Sequence, residues 1–216
     1  MVEVFATPAA TEQYAVLAAA APRWTLVDDA ALASLSDSVT PAGVVAVCRF
    51  LDRPLVELVE AQPRLVALCA DVRDPGNAGT VIRCADAAGA DAVVLAGHSV
   101  DPYNQKTVRA SVGSLFHLPV ALEADPAAAV RTARASGLQV LAADGSGELD
   151  LDDTDELLGA RTAWLFGNEA WGLPPDLAAL ADHRVRIPIH GRAESLNLST
   201  AAALCLYASA RAHRRA

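Results

Sequence analysis

The sequence predicts an α/β protein: a parallel sheet flanked by helices, preceded by a smaller, separate α/β unit. Two observations lead there. From about residue 64 onward, short β-branched runs alternate with alanine-rich helical stretches, the alternation that builds a parallel sheet. Before residue 60 the pattern changes to a separate small set of strand and helix candidates.

In the leading unit, runs at 3–6, 24–27 and 43–50 read as strands, and 11–20 and 29–35 as helices. Roughly 50 residues bury too little surface to make a robust fold alone. Pro54 and Pro63 bracket a stretch read as a linker, so the expected organisation is 1–53, a linker at 54–63, and 64–216. In the large unit the strand runs are 64–70, 91–96, 118–122, 138–143, 162–167 and 183–188. The helical stretches are 78–88, 104–112, 126–135, 175–180 and, longest, 195–213. On that last helix Leu196, Ala203, Leu206, Tyr207 and Ala210 recur at helical spacing, a stripe suited equally to the chain's own core or to a second subunit.

The 216 residues are 53% hydrophobic and 20% charged, which excludes disordered, collagen-like and coiled-coil chains. A formal charge of −9 argues against whole-surface attraction for nucleic acid, though arginines cluster from Arg184 onward while 144–156 is almost purely acidic. A local basic face therefore remains open. Cys48, Cys69, Cys84 and Cys205 lie in apolar surroundings without CxxC spacing and read as buried reduced thiols. No apolar run approaches the roughly 18 residues a bilayer span needs, so the chain reads as soluble and cytoplasmic, with no membrane partner.

Three segments ask for more than packing. In 71–83 a strand ends at Asp74-Pro75-Gly76, and Asn77 reads as the N-cap of a helix that carries Arg83. The same residues also fit a capped helix with a solvated arginine. In 165–174 an apolar strand runs into Gly167, Glu169 and Gly172, where missing side chains let backbone approach a ligand. The plain alternative is a turn with Trp171 packed beneath it, but an unpaired carboxylate buried there would be costly. In 187–207 a polar loop holding Gly191, Glu194, Ser195 and Asn197 enters the last helix, with Ser195 as its expected cap. Ligands of open α/β sheets gather beyond strand carboxyl ends, so the three segments together suggest one site.

Other sites lose support. There is no GxGxxG after the first strand, no P-loop and no HExxH, and the five histidines show no metal spacing, so no metal is expected.

The motifs N-x-G-x-x-x-R (77–83), G-N-E-x-x-G (167–172) and I-P-I followed by S-L-N (187–197) closely resemble, in order and spacing, the SpoU or TrmH-like ribose methyltransferases of the SPOUT class. The resemblance covers about residues 64 to 213. It implies a sheet whose carboxyl-terminal half forms a trefoil knot, the chain after Thr162 threading a loop. It implies methyl transfer from S-adenosylmethionine to a ribose 2′-hydroxyl of RNA by a homodimer packed through the knot and final helix. By motif position, Gly167, Ile187 and Leu196 would hold the cofactor, with Leu141, Ala142 and Ala143 beside it. Arg83 looks like the catalytic arginine, and Asn77, Glu169, Ser195 and Asn197 match the polar site residues. Lys106, Arg109 and Ser111 resemble a segment near the RNA side, where Arg73 and Arg192 would add phosphate contacts; a solvated helix face is the alternative. The first 50 residues resemble only the latter part of the ribosomal-protein-like RNA-binding domain that often precedes this catalytic domain, its opening strand and helix being absent. Ribosomal RNA is the expected substrate, with transfer RNA second and a catalytically idle RNA- or cofactor-binding member as a further alternative.

Overall fold

The computed structural model describes residues 1–36, 38 and 41–215. The chain divides into two compact units, Met1–Phe50 and Leu51–Ala216.

The first unit comprises β1 (Glu3–Ala6), α1 (Pro8–Gln13), α2 (Ala15–Ala20), β2 (Trp24–Leu26), α3 (Asp29–Ser34) and β3 (Val44–Val47). β1 is central, parallel to β2 and antiparallel to β3. The helix expected over 11–20 is two helices that break at Tyr14, whose backbone is no longer helical. Val4, Ala6, Ala10 and Leu32 are buried, while Val16, Leu17, Leu26 and Val47 are exposed, as a sheet this small cannot cover both faces.

The second unit begins with α4 (Leu55–Glu60), where a linker was predicted. The prolines mark its ends rather than a flexible tether. Leu55, Leu58 and Val59 recur at i, i+3 and i+4 and bury themselves in the core. Then follow β4 (Leu65–Ala70), α5 (Pro75–Ala88), β5 (Ala92–Ala96), α6 (Gln105–Ser111), β6 (Val120–Glu123), α7 (Pro126–Ala135), β7 (Gln139–Ala143), β8 (Leu149–Asp150), α8 (Asp155–Leu158), β9 (Thr162–Phe166), α9 (Pro175–Ala178), β10 (His183–Arg186) and α10 (Leu198–His213). Seven strands form one sheet in the order β6-β5-β4-β9-β7-β10-β8, every pair parallel.

Alternation along β4 shows how the sheet divides two cores. Leu65, Ala67 and Cys69 join one with residues of α5 and α10, and Val66, Leu68 and Ala70 join the other with α4 and α7. On the first face Trp164 of β9 stacks near Phe166, centroids 6.3 Å apart, and donates its indole N–H to Ser209 of α10 at 2.9 Å. The α10 stripe is thus split. Leu206 and Ala210 are buried within the chain, whereas Tyr207 faces outward.

Cys69 and Cys205 are buried, but Cys84 is only half-buried and Cys48 is exposed, against the expectation that all four lie inside. Burial, with a lesser push from the Glu169 charge, raises the Cys69 thiol to about 12. No helix among the described residues is long and apolar enough to cross a membrane.

Close approach of α5 and α6 depends on Gly79, where an added Cβ would lie 2.5 Å from the Thr107 carbonyl oxygen and 2.6 Å from Ala110 Cβ. Gly79→Ala is expected to push the helices apart and lower stability by about 1–3 kcal/mol, read from the denaturant midpoint.

Candidate active site

The loops after β4, β9 and β10 open on the same carboxyl-terminal edge of the sheet, and each brings one motif. After β4, Asp71 adopts a left-handed conformation (φ 56°), with its carboxylate accepting the His98 N–H at 2.7 Å. Its carbonyl accepts the Asn168 side-chain amide at 2.6 Å. The N-cap of α5 is Asp74, not Asn77: its carboxylate accepts the Asn77 N–H at 2.8 Å, and Pro75 takes the first helical position. That N–H bond, supplemented by nearby Lys106, holds the Asp74 carboxyl below its ordinary range despite some desolvation. Released from capping, the Asn77 side chain turns toward the other motifs.

Beyond β9 the chain makes a tight turn in which Asn168 and Gly172 exchange backbone hydrogen bonds of 3.0 and 2.9 Å. Glu169 is carried at its tip, exposed rather than buried, and its carboxylate is partnered. It accepts the N–H groups of Arg73 (3.3 Å) and Asp74 (3.1 Å) and the Asn77 amide (3.3 Å). Trp171 is not packed beneath the turn, being 54% exposed with the Arg73 guanidinium 5.1 Å from its ring centroid.

After β10, an exposed loop leads into α10, whose N-cap is Asn197 rather than Ser195. The Asn197 side-chain oxygen accepts the Ser199 N–H at 2.9 Å, while its amide donates to Asn77 at 3.0 Å. Glu169, Asn77 and Asn197 thus form one chain of side-chain hydrogen bonds across all three motifs. Asn197→Ala is expected to destabilise α10 by about 1 kcal/mol and leave the Asn77 side chain held by Glu169 alone, detected as a lower unfolding midpoint.

Beside this network lies a cleft of about 630 Å³. It gathers the predicted Gly167, Ile187 and Leu196 with Ala143, Glu169 and Ser195. Leu141 and Ala142 are fully buried within β7 and do not line it. Leu198 and Ala201 of α10, outside the set of expected site residues, do line it.

Arg83 is exposed on α5, and among the described residues no ion pair engages it. Of the predicted RNA-side residues, Lys106 is 3.4 Å from Asp74, so it adjoins the start of α5, next to Arg73. Arg109 is exposed one turn further along α6, and Arg192 is exposed on the loop before α10. Ser111 is fully buried, donating to the Val108 carbonyl at 2.8 Å, so it offers nothing to a macromolecule. Asn168, outside the set of expected site residues, is 6% exposed and ties the β9 turn to the left-handed Asp71. A polar residue wedged between Gly167 and Glu169 was the available signal. Among the described residues no three His, Cys, Asp or Glu side chains gather as a metal would require.

The sequence profile of the SpoU rRNA Methylase family matches residues 64–207. The chain belongs to this family. The SpoU chain is 35% identical over 185 residues to a 23S rRNA guanosine 2′-O-methyltransferase of Bacillus subtilis, an alignment covering 84% of this chain and 70% of that protein. It is 38% identical over 176 residues to a 23S rRNA uridine 2′-O-methyltransferase of Streptomyces viridochromogenes, covering 79% of this chain and 61% of the relative. The chain therefore spans only part of the length of these relatives. Among solved structures, an AdoMet-bound rRNA methyltransferase from Sinorhizobium meliloti superposes with a TM-score of 0.83 at 33% identity, over 97% of this chain and 79% of that one.

Proposed function

We propose that this SpoU protein transfers a methyl group from S-adenosylmethionine to a ribose 2′-hydroxyl of RNA, with ribosomal RNA as substrate. The observation that carries the reading is the Glu169–Asn77–Asn197 hydrogen-bond chain bordering the cleft. Relatives named as 23S rRNA 2′-O-methyltransferases support the ribosomal substrate.

The cleft suits the cofactor in size, since small-molecule sites run to about 300–1,000 Å³. Its lining fits as well: Phe166, Leu198 and Ala201 offer apolar surface to an adenosine, while the backbone at Gly167, Ile187 and Leu196 offers polar groups. Bound there, S-adenosylmethionine supplies a methyl group already activated by its sulfonium. The protein's task is then alignment and management of one proton. Arg83 lies six residues beyond Asn77 on α5, about 9 Å along the axis at roughly 1.5 Å per residue. By anchoring Asn77, Glu169 and Asn197 fix the helix that presents Arg83. A guanidinium with a pKa above about 12 is a poor base, so Arg83 acts through its charge, steadying the 2′-oxygen as it loses its proton to solvent or to the adjacent phosphate.

Strands β9 and β10 bracket β7, an order that supports threading of the chain after Thr162 as a trefoil knot. Leu204 and Tyr207 are exposed on α10, 44% and 52%, which supports a homodimer packed through that helix. Action on ribosomal RNA supports a cytoplasmic location. The test of the activity is transfer of isotope-labelled methyl from the cofactor into unmodified ribosomal and transfer RNA, followed by nucleoside analysis. The reading expects a 2′-O-methyl nucleoside from ribosomal RNA; label recovered only in bases, or in neither RNA, would defeat it.

A further inference from the structure

We propose that Trp171 is a stacking platform for an unpaired base of the RNA substrate, an inference that rests on the methyltransferase reading above. A single residue, Ala170, separates Trp171 from Glu169, so an RNA strand whose ribose reaches the cleft passes its neighbouring bases by this indole. A tryptophan 54% exposed forgoes the burial that normally makes the residue worth having, and it does so on the lip of a site rather than at random on the surface.

Three features equip it for a base. The turn that carries it is closed by the paired Asn168–Gly172 hydrogen bonds and pinned to Asp71 by the Asn168 amide, so the indole is held in place before any ligand arrives. Arg73 lies over the ring at 5.1 Å, giving the platform a cation that can meet a strand's phosphate in a protein otherwise rich in acid. Trp171 also lines a second cavity of about 590 Å³, with Leu173 and Ala178 as apolar wall and Asp144, Glu148 and Arg184 as polar rim. That volume accommodates a nucleobase, and on its rim Arg184 is held by Glu148 at 3.0 Å and Asp144 at 3.8 Å, so stacking on the indole is the principal contact offered. Unpaired RNA bases are read by stacking on aromatic and arginine planes together with hydrogen bonds to their edges.

The test uses the full chain with Trp171→Ala and Trp171→Phe, and 23S rRNA made by transcription as the probe. Stacking predicts that Trp171→Ala raises the KM for RNA about tenfold or more, with little change in kcat, and that Trp171→Phe restores it to within a few-fold of wild type. Cofactor affinity by calorimetry should be unchanged in both. Trp164 is buried and Trp24 is half-buried, so the quenching test is run in a Trp24→Phe background: there RNA should quench the tryptophan emission, and the further change Trp171→Phe should remove that effect. An unaltered RNA KM in Trp171→Ala overturns the platform, as does a loss of cofactor affinity in step with it, which would make Trp171 a wall of the cofactor cleft. Methylation without quenching removes the platform and leaves the activity; quenching without methylation does the reverse; absence of both removes the two together.

Discussion

Arg83→Ala is expected to slow methyl transfer by roughly 100- to 10,000-fold while leaving cofactor affinity and the unfolding midpoint unchanged. Arg83 is exposed, and among the described residues no hydrogen bond or ion pair ties its side chain to the fold. Removing it therefore creates no cavity and strands no buried partner. On the proposed mechanism, what is lost is a positive charge that steadies the acceptor oxygen, worth most where water is displaced by substrate. Arg83→Lys keeps the charge but not the planar fork, and should recover only part of the rate. Initial rates with labelled cofactor, beside calorimetric titration, separate the two quantities. Undiminished transfer by Arg83→Ala would remove the residue from the mechanism.

Gly167→Ala is expected to abolish cofactor binding and to cost about 1–3 kcal/mol of stability. A Cβ at this position would meet the Gly172 carbonyl carbon and oxygen at 2.4 Å and the Leu173 nitrogen at 2.6 Å. All three are backbone atoms, so no side chain can swing aside. The turn has to open, which carries Glu169 away from the Arg73 and Asp74 N–H groups and disturbs the wall of the cleft. Gly191, on the loop before α10, provides the control: a Cβ there meets nothing within 4 Å, so Gly191→Ala should be stable and bind cofactor normally. Paired thermal melts and titrations would show the contrast, and retained binding by Gly167→Ala would show that the turn tolerates opening.

Much of this was legible in the sequence because strands and motifs leave strong local marks. The buried parallel strands β4, β5 and β9 are continuous apolar runs, and the turn residues Pro75, Gly76, Gly167 and Gly172 punctuate them. Less visible was which polar residue caps which helix. Asp74 followed by Pro75 is itself a helix-start signal, but Asn77 competes for the role on residue type alone. Ser195 and Asn197 pose the same ambiguity, and only the position of the first helical turn decides it. The helix α4 was hidden by its flanking prolines, although Leu55, Leu58 and Val59 carried the period. Strand β8, two residues long, exists because β10 offers it an edge, a tertiary cause with no local trace. The burial of Ser111 follows from the tight Gly79 contact between α5 and α6, which again is invisible along the chain.

The hydrogen bond from Asn197 to Asn77 joins residues 120 positions apart, and that from Asn77 to Glu169 spans 92. Neither half of the chain can therefore hold this three-motif network alone. During synthesis the network closes only once the last helix has emerged and docked, and on unfolding it is lost as soon as that helix lets go; on the proposed mechanism, competence follows it. Recovery of activity after dilution from denaturant should accordingly trail the return of far-ultraviolet ellipticity, making enzymatic output a reporter of the final step of assembly.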